Sequence, residues 1–311
     1  MILPQDLQEK INKLYLSLNK KTLTETQKNL TDKYKNQTGK STSLIDSKTD
    51  SVLYAISRMP ATYSVIHTLV LELAEQGLIE NVETVLDMGA GTGTGYFALK
   101  NIDEDLQITL VERDRNMIDV FKTLSDENVE VVRDDVLKFE TDKKFDLVLT
   151  SYVLSEMTEN DRLSAVSKML EKTNKYLIIV DTGTPKTYEN MMTVKRHIEK
   201  AGYHVIAPCM SEKCRLANDY CQFYARVERS ALHKLAKSGT LSYEDEKYFY
   251  LLISKETKQV DGERVIRRPI IKENNIELVL CSEQGVQKTI YTKKNKELFK
   301  KAKKVKINGL M

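Results

Sequence analysis

The chain has 311 residues, 41% hydrophobic and 30% charged, with a formal net charge of +3 and four cysteines. That length predicts two compact units or one domain with appendages, and the balance is that of an ordinary soluble globular protein. The sequence contains no apolar run near the roughly 20 residues that cross a bilayer, and MILPQDLQEK lacks the basic flank and apolar stretch of a secretory signal. The expectation is a cytoplasmic protein with no membrane partner. In that reducing compartment the cysteines are available for metal ligation or plain burial rather than disulfides.

Residues 1–78 read as helical. Leu7, Ile11, Leu14 and Leu18 fall on one face of an amphipathic helix. A polar helix is expected around 23–35, and two more are expected to meet at Pro60, the second stopped by Gly77. From Val82 strands and helices alternate. Strands are expected at 82–87, 107–112, 129–133, 145–150, 176–181 and 203–207, with helices at 94–101, 114–124, 159–171 and 186–201 between them. That alternation predicts an α/β fold, a parallel sheet covered on both faces. Beyond a cysteine-bearing loop (208–222) and a helix at 229–237, short segments at 248–254, 264–271, 277–281 and 286–291 predict a small antiparallel sheet or barrel. A lysine-rich helix and a strand-like VKI close the chain. The domain reading is therefore a helical segment 1–78, a Rossmann-like unit 79–228 and a β-rich C-terminal unit 229–311.

The segment VETVLDMGAGTGTG places Gly89, Gly91, Gly93 and Gly95 between a strand and a helix. Glycines there allow a sharp turn and close approach of a ligand to the peptide groups, and the helix start offers unpaired N–H donors. The third glycine comes one residue too early for the dinucleotide pattern G-x-G-x-x-G. Glu112 ends the second expected strand nineteen residues after Gly93, where a carboxylate can accept from both hydroxyls of a ribose. The plain alternative is a tight turn and acids that merely end strands. The run D-x-G-x-G-x-G resembles the first motif of class I S-adenosylmethionine-dependent methyltransferases over about residues 80–205. That resemblance implies a cofactor site in which Asp87 bonds the methionine amino group and Asp135 the adenine amine, with Gly89, Gly91, Gly93 and Glu112 completing it. On the acceptor side, Thr150–Ser151–Tyr152 lacks the acid or Asn and the two prolines usual in enzymes that methylate exocyclic base amines. Tyr152 either stacks on a flipped base or packs in the core, and no catalytic base is assigned. Methyl transfer to a good nucleophile needs mostly alignment, so activity is compatible with that gap.

Cys209, Cys214 and Cys221 lie within thirteen residues, and Cys281 lies in the expected β-rich unit. Four unrelated buried thiols would be the plain reading. A zinc site usually shows closer C-x₂₋₄-C pairs, and only the first gap is admissible, so zinc is the weaker metal. Four thiolates could instead close a [4Fe–4S] cluster. Tyr54 with RMPATY (58–63), LDMGAGTGTG, SYVLSEM, the DTGTP turn, the cysteine loop and YEDEKYFYL, in this order, resemble the small-ribosomal-subunit-associated methyltransferase-like family of bacteria and mitochondria. The resemblance covers nearly the whole chain and implies a [4Fe–4S] cluster on Cys209, Cys214, Cys221 and Cys281. This chain departs from the family's frequent Cys-Pro steps and nearby His or Trp: it has Cys209–Met210 and Cys214–Arg215, and no tryptophan.

The stretch 293–306 holds eight lysines and one Glu. Such a segment is commonly just a solvated helix, yet so concentrated a charge is also a footprint for phosphates. Lys293, Lys294, Lys296, Lys300, Lys301, Lys303 and Lys304 are the candidate RNA contacts, with Arg58, Arg215, Arg226, Arg229, Arg267 and Arg268 as possible extensions. Given the resemblance, the expected partner is ribosomal RNA of the small subunit and the expected oligomeric state a monomer. The function expected is methylation or assembly of that subunit. The alternatives are a non-catalytic assembly factor that keeps the cofactor pocket and, less attractive beside the lysines, a small-molecule methyltransferase.

Overall fold

A computed structural model describes residues 2–18, 47–211, 216, 219–237, 240–258 and 260–311. The polar helix expected at 23–35 and Cys214 lie outside the described residues.

The N-terminal region is helical, as its periodicity requires. Helix α1 (Gln5–Leu16) buries Leu7, Ile11 and Leu14, and Leu18 packs against the same core. Helices α2 (Lys48–Ser57) and α3 (Met59–Glu75) meet at Arg58, with Pro60 in the first turn of α3 where its missing N–H costs nothing. At the far end Gly77 is left-handed (φ 68°), and Leu78 N–H closes back onto the Leu73 carbonyl. None of the described helices is long and apolar enough to cross a membrane.

The alternating region forms strands β1 (Thr84–Met88), β2 (Gln107–Val111), β3 (Glu130–Val132), β4 (Phe145–Ser151), β5 (Thr173–Thr182) and β6 (His204–Ala207). Helices α4 (Thr94–Lys100), α5 (Arg115–Leu124), α6 (Glu159–Lys172) and α7 (Pro185–Lys200) connect them. Strands β7 (Phe223–Glu228) and β8 (Tyr243–Ser254) complete the sheet, with α8 (Ala231–Lys237) between them. The strand order is β3-β2-β1-β4-β5-β8-β6, with β7 also paired to β8. Strands β1 to β5 are parallel, and β8 runs antiparallel between β5 and β6. Order and direction together are those of the Rossmann-like class I methyltransferase fold.

One expectation needs correction. Tyr248–Ser254, assigned from its turn-bounded appearance to the C-terminal β-rich unit, is a central strand of the main sheet, so the division near residue 228 does not hold for it. Its residues 248–254 are buried on both faces and read as a continuous apolar run, as a fully covered strand must.

The terminal unit is smaller than expected. Strands β9 (Arg264–Val265), β10 (Ile270–Ile271), β11 (Asn275–Ser282) and β12 (Gly285–Thr292) form one antiparallel sheet. The single strand expected over 264–271 is broken around Pro269, which cannot donate to a ladder. Helix α9 (Lys296–Lys304), capped by the Asn295 side chain on Leu298 N–H, lays Ala302 against Val265, Ile276, Leu278 and Leu280. VKI is not a strand; only Leu310, further on, bridges Arg264.

A buried polar network ties this unit to the rest. Arg264 is fully buried and donates through Nη1 to Gln76 Oε1 (2.9 Å), the Asn308 carbonyl (2.8 Å) and Asn308 Oδ1 (3.1 Å). Asn308 also accepts from the Tyr250 hydroxyl (2.6 Å) and donates to Glu72 Oε2 (2.9 Å). One asparagine thus joins α3, β8 and β9 inside the molecule.

Candidate cofactor crevice and cysteine cleft

The candidate cofactor residues lie at the carboxyl ends of β1, β2 and β4, where open α/β sheets place their ligands. After β1 the chain turns through Gly89, Gly91 and Gly93, all with positive φ (82°, 57° and 75°), and enters α4. The turn is stitched to β2: Gly89 and Ala90 donate to the Val111 carbonyl, and Gly91 N–H donates to Glu112 Oε2 at 2.8 Å. Glu112 Oε1 accepts from Asp114 N–H at 2.8 Å. Burial nonetheless pushes the Glu112 carboxyl upward in pKa. A Cβ at Gly91 would meet nothing within 4 Å, so this part of the turn faces open space. At Gly95 a Cβ would come within 2.3 Å of Asp87 Oδ2, so α4 can start against Asp87 only because that residue is glycine.

Asp87 is buried, next to last in β1, and neither carboxylate oxygen has a hydrogen-bond partner among the described residues. Burial first, and the charge of Glu112 second, push its pKa to about 7. A buried, unsatisfied carboxylate is costly unless something cationic meets it. Asp135 is placed differently. Its Oδ2 pairs with Arg113 Nη1 at 3.1 Å and its Oδ1 accepts from Leu137 N–H at 2.9 Å, so it caps the turn after β3.

Tyr152, just past β4, has a left-handed backbone (φ 59°), uncommon for a bulky residue. Its hydroxyl is buried without a partner, and the Arg58 guanidinium lies 5.7 Å from the ring centroid. Arg58 is itself held by Glu246 at 3.2 Å. The ring is half-buried and packs against the core beside Arg58. Two acids that sequence reading passed over lie nearby. Asp181, at the end of β5, is buried, accepts from Ser155 and Thr182 N–H, and is raised in pKa by desolvation. Glu156 is pushed to about 7, by burial first and then by the charge of Asp181. Both stand in the segments SYVLSEM and DTGTP, but a strand-end acid has no local signature that separates it from any other.

The cysteines converge from distant parts of the chain. Cys209 follows β6, Cys221 precedes β7 and Cys281 sits in β11, yet all three line one narrow cleft. Its walls are apolar, built from Tyr188, Met192, Phe249, Ile266 and Val286. Among the described residues no group of three or more His, Cys, Asp or Glu is arranged to hold a metal ion. The lysines of α9 and its approach, Lys293 to Lys304, are all exposed. Lys293 donates to Asn274 at 2.9 Å, and the others have no ion-pair partner among the described residues.

Fold and glycine turn together define a methyltransferase-type chain of class I. Residues 48–308 match the family described as mitochondrial small ribosomal subunit Rsm22, and the chain belongs to that family. The human ribosome assembly protein METTL17, mitochondrial, is 23% identical over 261 residues, covering 76% of this chain and 56% of the human protein. The chain thus spans about half the length of that curated relative. Among solved structures, the magnesium protoporphyrin IX methyltransferase of Synechocystis with bound S-adenosylmethionine is 13% identical. It covers 77% of this chain and 99% of that one at a TM-score of 0.44. The plantazolicin methyltransferase BpumL, with a substrate analogue and S-adenosylhomocysteine, is 11% identical, covering 80% and 99% at 0.46.

Proposed function

We propose that this chain binds S-adenosylmethionine at the glycine turn and serves the small ribosomal subunit, as a methyltransferase of its RNA or protein or as a factor in its assembly. The reading rests above all on Asp87. Its two buried oxygens lack partners, and the cofactor's methionine ammonium is a cation of the right size to meet them. Gly91 faces open space within the same turn, and Glu112, with one lone pair per oxygen used by Gly91 and Asp114, keeps acceptor capacity for ribose hydroxyls. Asp135 keeps the same capacity toward the adenine. The family, and a human relative named for ribosome assembly, support the small subunit as partner. The bare lysines of α9 suit its phosphates. The cytoplasm and a monomer remain the proposed location and state.

The second component of the proposal is a [4Fe–4S] cluster held by Cys209, Cys214, Cys221 and Cys281. A single ion needs donors about 2.3 Å from one point, whereas a four-iron cluster is bulkier and spaces its thiolates further apart. The gathering of three of them around one apolar cleft supports the larger group, which would pin β11 to the main sheet.

The non-catalytic reading is favoured by one observation: Tyr152 is packed under Arg58 with its hydroxyl buried, leaving no familiar acceptor group after β4. Labelled S-adenosylmethionine, holo-protein and immature small subunits from a deletion strain separate the two. Transfer of label to the subunit makes it an enzyme. Cofactor binding without transfer makes it an assembly factor, and no cofactor binding overturns the pocket itself.

A further inference from the structure

Strand β8 is longer than its neighbour. Its pairing with β5 runs from Tyr176 opposite Ser254 to Thr182 opposite Tyr248 and stops there. Residues 243–247 continue beyond the carboxyl edge of the parallel strands, paired only with β7, from Tyr224 opposite Lys247 to Glu228 opposite Tyr243. A two-stranded ribbon therefore stands up beside the cofactor crevice.

Its two faces differ. The inner face buries Phe223, Ala225 and Val227 and turns its acids onto cations: Glu246 meets Arg58, and Glu244 meets Arg229 and Lys237. The outer face carries Tyr224, Arg226 and Glu228 of β7 opposite Lys247, Asp245 and Tyr243 of β8, with Arg268 reaching over from the loop between β9 and β10. The Arg226 guanidinium lies 4.2 Å from the centroid of Tyr243 and that of Arg268 lies 4.3 Å from the centroid of Tyr224. Asp245 sits between them and fixes both, accepting from Arg226 Nε at 2.9 Å and from Arg268 Nη2 at 2.5 Å. Arg226 and Arg268 are about half exposed (49% and 56%), Tyr243 is exposed, and Lys247 is exposed with no ion-pair partner among the described residues.

We propose that this outer face, two Arg–Tyr stacks fixed by Asp245 with Lys247 beside them, is a stacking platform for unpaired nucleotides of RNA. It deepens the reading given above, on which it rests, by saying which part of the RNA is held next to the crevice. Flat, pre-oriented aromatic and guanidinium planes on an exposed strand pair are what splayed bases need. Four residue steps separate the positions of Tyr224 and Tyr243 along the ribbon, about 13 Å, enough for more than one base. Lys247, Arg226 and Arg268 carry three positive charges against the two of Asp245 and Glu228 on the same face, a small positive excess that admits a phosphate backbone. Duplex RNA hides its base faces and gains little here.

The test is the affinity of the full chain for a fluorescent single-stranded RNA of about ten uridines and for a duplex, across a salt series. Tyr224→Ala with Tyr243→Ala is expected to weaken single-strand binding by about 10-fold or more, leaving the salt slope and duplex binding unchanged. Tyr→Phe at both sites is expected to retain it. Tyr243→Ala alone, an exposed site, keeps the question answerable if the pair misfolds, with a loss of about 5-fold. The proposal is overturned if these variants bind the strand as wild type does, if strand and duplex weaken equally, or if an acidic peptide displaces the strand from wild type but not from the variants. A wild-type chain that binds no RNA at all overturns the parent reading instead.

Discussion

Gly91 N–H donates to Glu112 Oε2 at 2.8 Å, so the residue expected to hold a ribose also holds the glycine turn to the second strand. Glu112→Ala should therefore act twice. Losing two charge-assisted hydrogen bonds to backbone N–H groups is expected to cost about 2 kcal/mol of stability and to abolish cofactor binding. Glu112→Gln keeps one acceptor and should lose affinity with a smaller fall in melting temperature. Calorimetric titration beside thermal melts separates the effects; equal affinity for all three chains would refute the ribose role.

Asp87 gives a pH signature. Its folded pKa, about 7, lies above the ordinary carboxylate value. A raised carboxyl contributes stability that is present at low pH and lost as pH rises from about 4 through about 7. Asp87→Asn should consequently stabilise the ligand-free protein at pH 8, on the order of 4 kcal/mol, and flatten its stability profile between those limits. Affinity for S-adenosylmethionine should move the opposite way in wild type. An ammonium needs the ionised partner, so binding should tighten from pH 6 to pH 8 by about 10-fold and the variant should lose both affinity and pH dependence. Glu156 also titrates near 7, and Glu156→Gln serves as the control. Tighter binding by Asp87→Asn would contradict this account.

Gly95→Ala places a methyl carbon 2.3 Å from Asp87 Oδ2. Either the carboxylate or the start of α4 must move, so cofactor affinity should fall by about 100-fold while the fold survives. Gly91→Ala, whose Cβ meets only open space, is strained by its φ of 57° and should cost about 1 kcal/mol in the ligand-free protein. Melts and titrations of the two variants check both statements.

Anaerobic purification is expected to yield a brown protein, and Cys221→Ser to bleach it and loosen the terminal sheet together, because metal binding is coupled to folding. Hydrogen exchange in β11 reports the loosening. A colourless wild type carrying stoichiometric zinc would remove the cluster from the proposal.

Arg264 makes three hydrogen bonds through Nη1, yet its buried Nε and Nη2 have none. Arg264→Ala leaves Asn308 and Gln76 short of donors beside a cavity and is expected to cost about 3 kcal/mol. Arg264→Met fills the volume and removes the two unsatisfied donors, so it should cost less than Ala. Urea denaturation of both variants tests the order.

The sequence by itself determined the elements whose cause is local. Leu7, Ile11 and Leu14 share a face because the helix period puts them there, and Pro60 and Gly77 bound α3 through their own backbone preferences. The strand–glycine–helix run with Glu112 after the next strand marked the crevice, because a tight turn and a strand end are encoded within a few residues. The tertiary structure alone decided where Tyr243–Ser254 goes. A turn-bounded apolar run carries no record of its partner strand, and only the space between β5 and β6 selects it. It also gathered Cys209, Cys221 and Cys281 around one cleft and set Tyr152 beneath Arg58. In the same way it turned the outer face of the ribbon to solvent beside the crevice. Those arrangements join residues tens to hundreds of positions apart, and packing of whole elements, not the chemistry of any one segment, brings them together.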